Sequence, residues 1–283
     1  MSARRRLERI DVALVALCFG YAFLYLPILL VMFYSLNDSR LVTVWGGFSL
    51  RWYGELFRND DVLAAAWLSL RVALVSATAA TALGTLAGLA LARAGRFRGR
   101  VLFSGMIAAP LVMPEVITGL SLLLLFVSMK TLIGWPGGRG ATTIAVAHIT
   151  FCMAYVAVIV QSRLTGLDES IEEAALDLGA RPFKVFFAIT LPLIAPALIS
   201  GWLLSFTLSL DDLVLASFVS GPGSSTLPML IFSKVRLGVS PEINALATIM
   251  VAIVTVGIIT SGWLMHRQEQ RRRRDEQLAR AGA

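Results

Sequence analysis

DESIEEAALDLGARPFKVFFAITLP, residues 168–192, is a polar island between two long apolar runs. Ser170 and Glu173 fit the S-x-x-E capping box that starts a helix. Ile171, Ala174, Ala175 and Leu178 then fall on one helical face, with acids on the other. Gly179 is placed to end the helix in the left-handed region, and Pro182 discourages its continuation. The pattern predicts a rigid amphipathic helix of about two turns, clipped at both ends. A helix that short is marginal by itself. Its apolar face needs a cover, either the membrane-facing surface of the same chain or the groove of a soluble partner.

The flanking sequence sets the context. The 283 residues are 57% hydrophobic and 15% charged, with mean hydropathy +0.76. Soluble chains sit near half apolar and about a quarter charged. A bilayer accounts for the excess, because each spanning helix takes about 20 apolar residues. Six apolar stretches stand out, at 11–36, 66–92, 101–127, 141–162, 193–215 and 243–265. The expected fold is an all-α integral membrane protein with six transmembrane helices and the short helix between spans four and five. A tail at 1–10, a six-span domain at 11–265 and a basic tail at 266–283 complete the division. The first apolar run is too long for a signal-peptide core and no A-x-A-like cleavage site follows it, so an uncleaved first helix is expected.

Lys and Arg assign the sides. With the N-terminus in the cytoplasm, the inner segments hold 17 basic residues and the outer ones seven. That bias places both termini inside. The block Arg271 to Arg274, beside a span, reads as a cytoplasmic stop and an anionic-lipid anchor. The basic residues bracket apolar segments and are not interleaved with aromatics, so the net charge of +7 does not indicate nucleic acid. Cys18 and Cys152 lie inside apolar runs, and no Cys/His cluster suggests a metal. His148 and His266 have no partner pattern and read as incidental. The 283 residues contain no G-x-x-x-x-G-K-[ST] loop, and GPGSS at 221–225 is too short, so no ATP hydrolysis by this chain is expected.

Small residues at 76, 80, 84 and 88 mark one face of the second span as a close-packing surface. VWGGFSLRWYGELF, residues 44–57, reads as an interfacial segment or a docking surface for an outside partner. SPE at 240–242 offers a cap in Ser240, a first helical residue in Pro241 and an acid for the helix dipole in Glu242.

Glu173-Ala174-Ala175, three residues, Gly179, nine residues, Ile189, one residue and Leu191-Pro192 together resemble the EAA signature of ABC-importer permeases at every position. WGGFSLRWYGELF, APLVMPEVITGLSLLLLF at 109–126 and the run 209–248 are similar to the second permease of polyamine importers, most of all the putrescine type. The resemblance implies that the segment at about 170–183 is a coupling helix seated in a cleft of a separate ATPase. It further implies a heterodimer with a second permease, two ATPase subunits carrying ATP and Mg, a periplasmic polyamine-binding protein and residence in a bacterial inner membrane. No cofactor on this chain is implied.

Three carboxylates interrupt the spans. Counting from Pro192, Asp211 and Asp212 fall about 28–30 Å along the fifth span, in the outer part of the bilayer. Gly201, Ser205, Ser209 and Asp212 recur at three- and four-residue spacing, a small and polar stripe that should face the bundle or a watered path. The chain stays apolar for seven residues after the acids. Acids that cap a span at its outer interface are the competing reading. Glu115 follows Pro110 and Pro114, and Pro114 opens a polar spot in the third span. A diammonium substrate needs separated carboxylates for its ends and an apolar wall for its middle. Asp212, Asp211, Glu115 and Ser209 are therefore the pathway candidates, with Trp202 and Phe206 as the wall. A self-contained secondary cation transporter or channel, and a membrane scaffold, are the rival functions.

Overall fold

The computed structural model describes residues 3–41, 44–238 and 240–281. Side chains are described for 13–41, 44–238, 240–257 and a few positions beyond. The N-terminal arginines, His266 and the Arg271–Arg274 block lie outside the described side chains. The described chain is helical throughout: α1 (Ala3–Tyr34), α2 (Arg51–Leu56), α3 (Asp60–Arg93), α4 (Arg100–Val112), α5 (Glu115–Ile133), α6 (Ala141–Thr165) and α7 (Ser170–Asp177) come first. α8 (Pro182–Val185) runs through a π-helical turn at Phe186–Thr190 into α9 (Leu191–Asp211), followed by α10 (Val214–Val219), α11 (Leu227–Leu237) and α12 (Pro241–Ala281).

Among the described residues, five helical stretches are long and apolar enough to cross a membrane: Ala13–Tyr34, Asp60–Arg93, Glu115–Ile133, Ala141–Thr165 and Pro182–Asp211. Arg100–Val112 and Pro241–Gly257 are apolar but shorter. The expected third span at 101–127 is thus two helices. Pro114 lacks an N–H and pushes the preceding residue out of the α region, and Met113 is extended at φ −73° and ψ 137°. The fifth span also differs. It begins at Pro182 and ends at Asp211, where 193–215 was expected.

Two compact units emerge, Asp61–Phe232 and the flanking Met1–Asp60 with Ser233–Ala283. In the first, α6 is the central helix, and its apolar side chains from Ile144 to Leu164 include many with no exposure. α3 reaches it through the small-residue face. A Cβ on Gly84 would stand 2.6 Å from the Val156 Cβ and 2.8 Å from the Met153 carbonyl. One on Gly88 would stand 2.8 Å from the Ala157 carbonyl. The helices are therefore in backbone contact, and Ser76 Oγ donates to the Ala145 carbonyl at 3.2 Å across the seam. α9 packs on α6 too, but there a Cβ on Gly201 would meet the Val156 methyl groups only at an ordinary van der Waals 3.5 Å. α10 and α5 close a further layer on α6 around Phe126, Ile144, Ala147, Ala216 and Val219.

In the flanking unit, Asn37 organises the loop after α1. Its side chain donates to the Val44 carbonyl and accepts the Gly46 and Ser39 N–H groups. Its own carbonyl accepts the Trp52 indole N–H at 2.6 Å. Phe33 and Trp45 stack at 4.7 Å, while Phe48 lies on the surface. Pro241 opens α12 as expected. The Glu242 carboxylate accepts from Asn59 and Lys234, so it serves as a tie as well as a dipole partner.

Candidate functional site

The segment 168–192 folds close to its reading. α7 covers Ser170–Asp177, and Gly179 has φ +82°. The Ala180 N–H reaches the Ala175 carbonyl and the Gly179 N–H reaches Leu176, the paired bonds of a Schellman motif. The start is different. No capping box forms, and Asp168 accepts the Ser170 N–H at 3.0 Å in its place. Hydrogen bonds from the Ser170 backbone, then from its side chain, hold the Asp168 carboxyl below its ordinary value.

α7 has no buried side chain. Ile171, Ala174 and Leu178 of its apolar face are exposed, Leu178 at 89%. The chain's own surface does not cover that face. Polar links hold the helix on its other side. Arg93, the last residue of α3, donates from Nη1 to Glu169 at 2.7 Å and from Nε to Glu172 at 3.2 Å. Thr190 Oγ donates to the second oxygen of Glu172 at 2.9 Å. Glu173 is exposed, Ile189 and Leu191 are half-buried, and Pro192 is exposed at the start of α9.

The two aspartates part company. Asp211 is the last residue of α9 and is exposed. Asp212 is extended at φ −65° and ψ 126°, and its side chain is 9% exposed. Its carboxylate caps α10, accepting the Leu215 N–H at 3.2 Å and the Ala216 N–H at 2.7 Å. His148 Nε2 lies 3.1 Å from the same carboxylate, and His148 Nδ1 lies 2.6 Å from Ser209 Oγ. One neutral tautomer satisfies both bonds, with Nε2–H donating to Asp212 and Nδ1 accepting from Ser209. The acids therefore do end the helix, and the apolar residues after them form the separate α10. His148, read as incidental, is the buried hub of this cluster. Its partners lie 61 and 64 residues away, so no local pattern announces it.

The polar stripe of α9 faces the bundle. Gly201, Ser205 and Ser209 are buried, and Cys152 Sγ lies 3.6 Å from the Ser205 carbonyl. Trp202 and Phe206 stack at 5.4 Å with 8° between their planes, and the Trp202 indole donates to Thr78 at 3.2 Å. Trp202 and Asp211 are nine residues apart on α9, about 180° around the helix, so the structure does not bring wall and acid together. Glu115 is the exposed first residue of α5, one turn before the Gly119–Phe218 contact with α10. Among the described residues, no group of three His, Cys, Asp or Glu converges as metal ligands would.

Residues 82–274 match the family described as binding-protein-dependent transport system inner membrane component. The chain is 62% identical over 269 residues to the putrescine transport system permease protein PotI of Escherichia coli (strain K12), covering 95% of this chain and 96% of that one. It is 46% identical over 241 residues to the spermidine/putrescine transport system permease protein PotC of the same strain, covering 85% and 89%. Among solved structures, a chain of a bacterial ABC transporter involved in import of the acidic polysaccharide alginate superposes with TM-score 0.70 at 19% identity, over 93% of this chain and 98% of that one. That likeness concerns the fold alone.

Proposed function

This chain belongs to the binding-protein-dependent transport system inner membrane components, and on that premise we propose that it is the non-catalytic permease subunit of an ATP-driven importer of putrescine or a related polyamine. It forms half of the path with a second permease. Two ATPase subunits bind and hydrolyse ATP, and an external binding protein delivers the polyamine. Six spans cross the inner membrane: α1, α3, the broken pair α4–α5, α6, α8–α9 and the apolar start of α12. Both termini lie in the cytoplasm, where the basic residues gather.

The observation that carries this reading is the uncovered apolar face of α7. A two-turn helix, rigidified by a Schellman end and fastened by its acids, presents Ile171 and Leu178 outward. That is the shape of a knob for a partner's groove. The ATPase cleft is the groove assigned to it, with Glu173, Ala174, Ala175 and Gly179 in the seated turn and Ile189, Leu191 and Pro192 behind it. The 62% identity to a putrescine permease supports the substrate. Of the membrane acids, Asp211 and Glu115 keep exposed carboxylates for ammonium groups. Asp212 and Ser209 act through His148 as supports.

The test is a purified complex in proteoliposomes. Ile171→Asp with Leu178→Asp is expected to release the ATPase subunits and abolish ATP-driven putrescine uptake. Retention of the ATPases by this variant sinks the role of α7. Uptake by the chain alone, without ATP, overturns the importer reading in favour of a secondary transporter.

A further inference from the structure

α7 is anchored without burying a side chain, so its attachment must come from polar links. Those links converge on one guanidinium. Arg93 ends α3, and its side chain is 15% exposed. Glu172 is 19% exposed, whereas Glu169 is 59% exposed. The two arms of Arg93 therefore differ. The bond to Glu169 is in water and contributes little. The bond to Glu172 is sheltered, and charge-assisted bonds in such places are the strong ones.

Glu172 does more than pair with Arg93. Its second oxygen accepts from Thr190, which is 3% exposed and is the last residue of the π-helical turn feeding α9. One carboxylate of α7 thus touches the end of α3 and the start of α9. π turns inside α-helices are frequent at functional sites. Arg93 also keeps a buried N–H, on Nη2, without a partner.

We propose that Arg93, Glu172 and Thr190 form a strut that passes displacement of α7 simultaneously into α3 and α9. Arg93 and Thr190 are positioning residues, since neither lies on the exposed apolar face of α7. The strut rests on α7 being the coupling helix, and the experiment separates the two claims.

The readout is ATP hydrolysed per putrescine imported by the reconstituted complex. Arg93→Gln and Glu172→Gln are each expected to raise that ratio about fivefold, the low end of typical coupling between sites. The ATPase subunits should still co-purify with both variants. The double variant should be no worse than either single one, because the two residues act as one unit. Thr190→Val keeps the buried volume, cuts only the link to α9, and should raise the ratio less. Glu169→Gln should leave it unchanged. An unchanged ratio in intact Arg93→Gln and Glu172→Gln complexes overturns the strut, as do effects that add. Loss of the ATPases from these variants also overturns it, since the cluster would then shape the docking surface only. Retention of the ATPases by the Ile171→Asp and Leu178→Asp variant defeats the coupling reading itself, independently of the ratio.

Discussion

α6 is gripped on two sides by different means. Against α3 the grip is steric: Gly84 and Gly88 bring backbones so close that a Cβ at either would stand less than 3 Å from its neighbours. Against α9 the grip is chemical. Gly201 leaves room for a methyl group, but His148 is held between Ser209 and Asp212, and Cys152 reaches the Ser205 carbonyl. A membrane interior gives little hydrophobic drive between helices, so close van der Waals contact and interhelical bonds are the two available adhesives. Close contact dominates on the α3 face of the central helix, where Ser76 adds a single bond, and interhelical bonds dominate on the α9 face. The steric seam tolerates no added volume, whereas the chemical seam tolerates volume and depends on its polar groups.

The steric seam is most vulnerable at Gly84. Gly84→Leu should destabilise the protein by on the order of 4 kcal/mol, the tail that overpacking reaches, and reduce the folded fraction recovered from membranes. Thermal melting in detergent checks it. On the other seam, His148→Ala removes a donor from a carboxylate that is 9% exposed. A loss of about 2 kcal/mol is expected, as for a hydrogen bond to a charged group. The pair is isolated by a double cycle with Asp212→Asn, in which the two effects should fall short of their sum. Gly201→Ala sharpens the contrast by its smallness. Its new methyl would meet Val156 at 3.5 Å, and a change within about 0.5 kcal/mol is expected. If Gly201→Ala costs as much as Gly84→Leu, the two seams are alike and the distinction is lost.

What could be read in the sequence was what is local. The end of α7 was legible because a glycine past an apolar periodicity, followed by proline, has few uses besides a left-handed stop. The small-residue face of α3 was legible as a packing surface because four-residue spacing puts residues 76, 80, 84 and 88 on one side of a helix. α7 does start at Ser170, but the bond that secures its start is not the one expected. Asp168 and Ser170 both carry oxygens competent to bind a nearby N–H, and only the backbone path selects Asp168, which accepts the Ser170 N–H from just before the helix. Pro114 was recognised as a loosening point, yet the chain breaks there fully and starts a new helix with Glu115. Asp212 falls on the polar stripe, and so among the pathway candidates, only if α9 continues through it. The helix stops at Asp211, which turns Asp212 into a cap and leaves Asp211 exposed. His148 and the link from Arg93 to Glu172 join residues 61 to 79 positions apart, and periodicity carries no information at that range.

The π turn at Phe186–Thr190 has a consequence for bearing. In an α-helix, Val185 and Thr190 would point about 140° apart. The i to i+5 spacing of a π turn instead stacks them along one side. Val185, Thr190 and Ile194 are indeed all buried. The extra residue in that turn is thus a phase correction. It lets two helical stretches with different registers share one inward meridian, and it is what aims the Thr190 hydroxyl at Glu172.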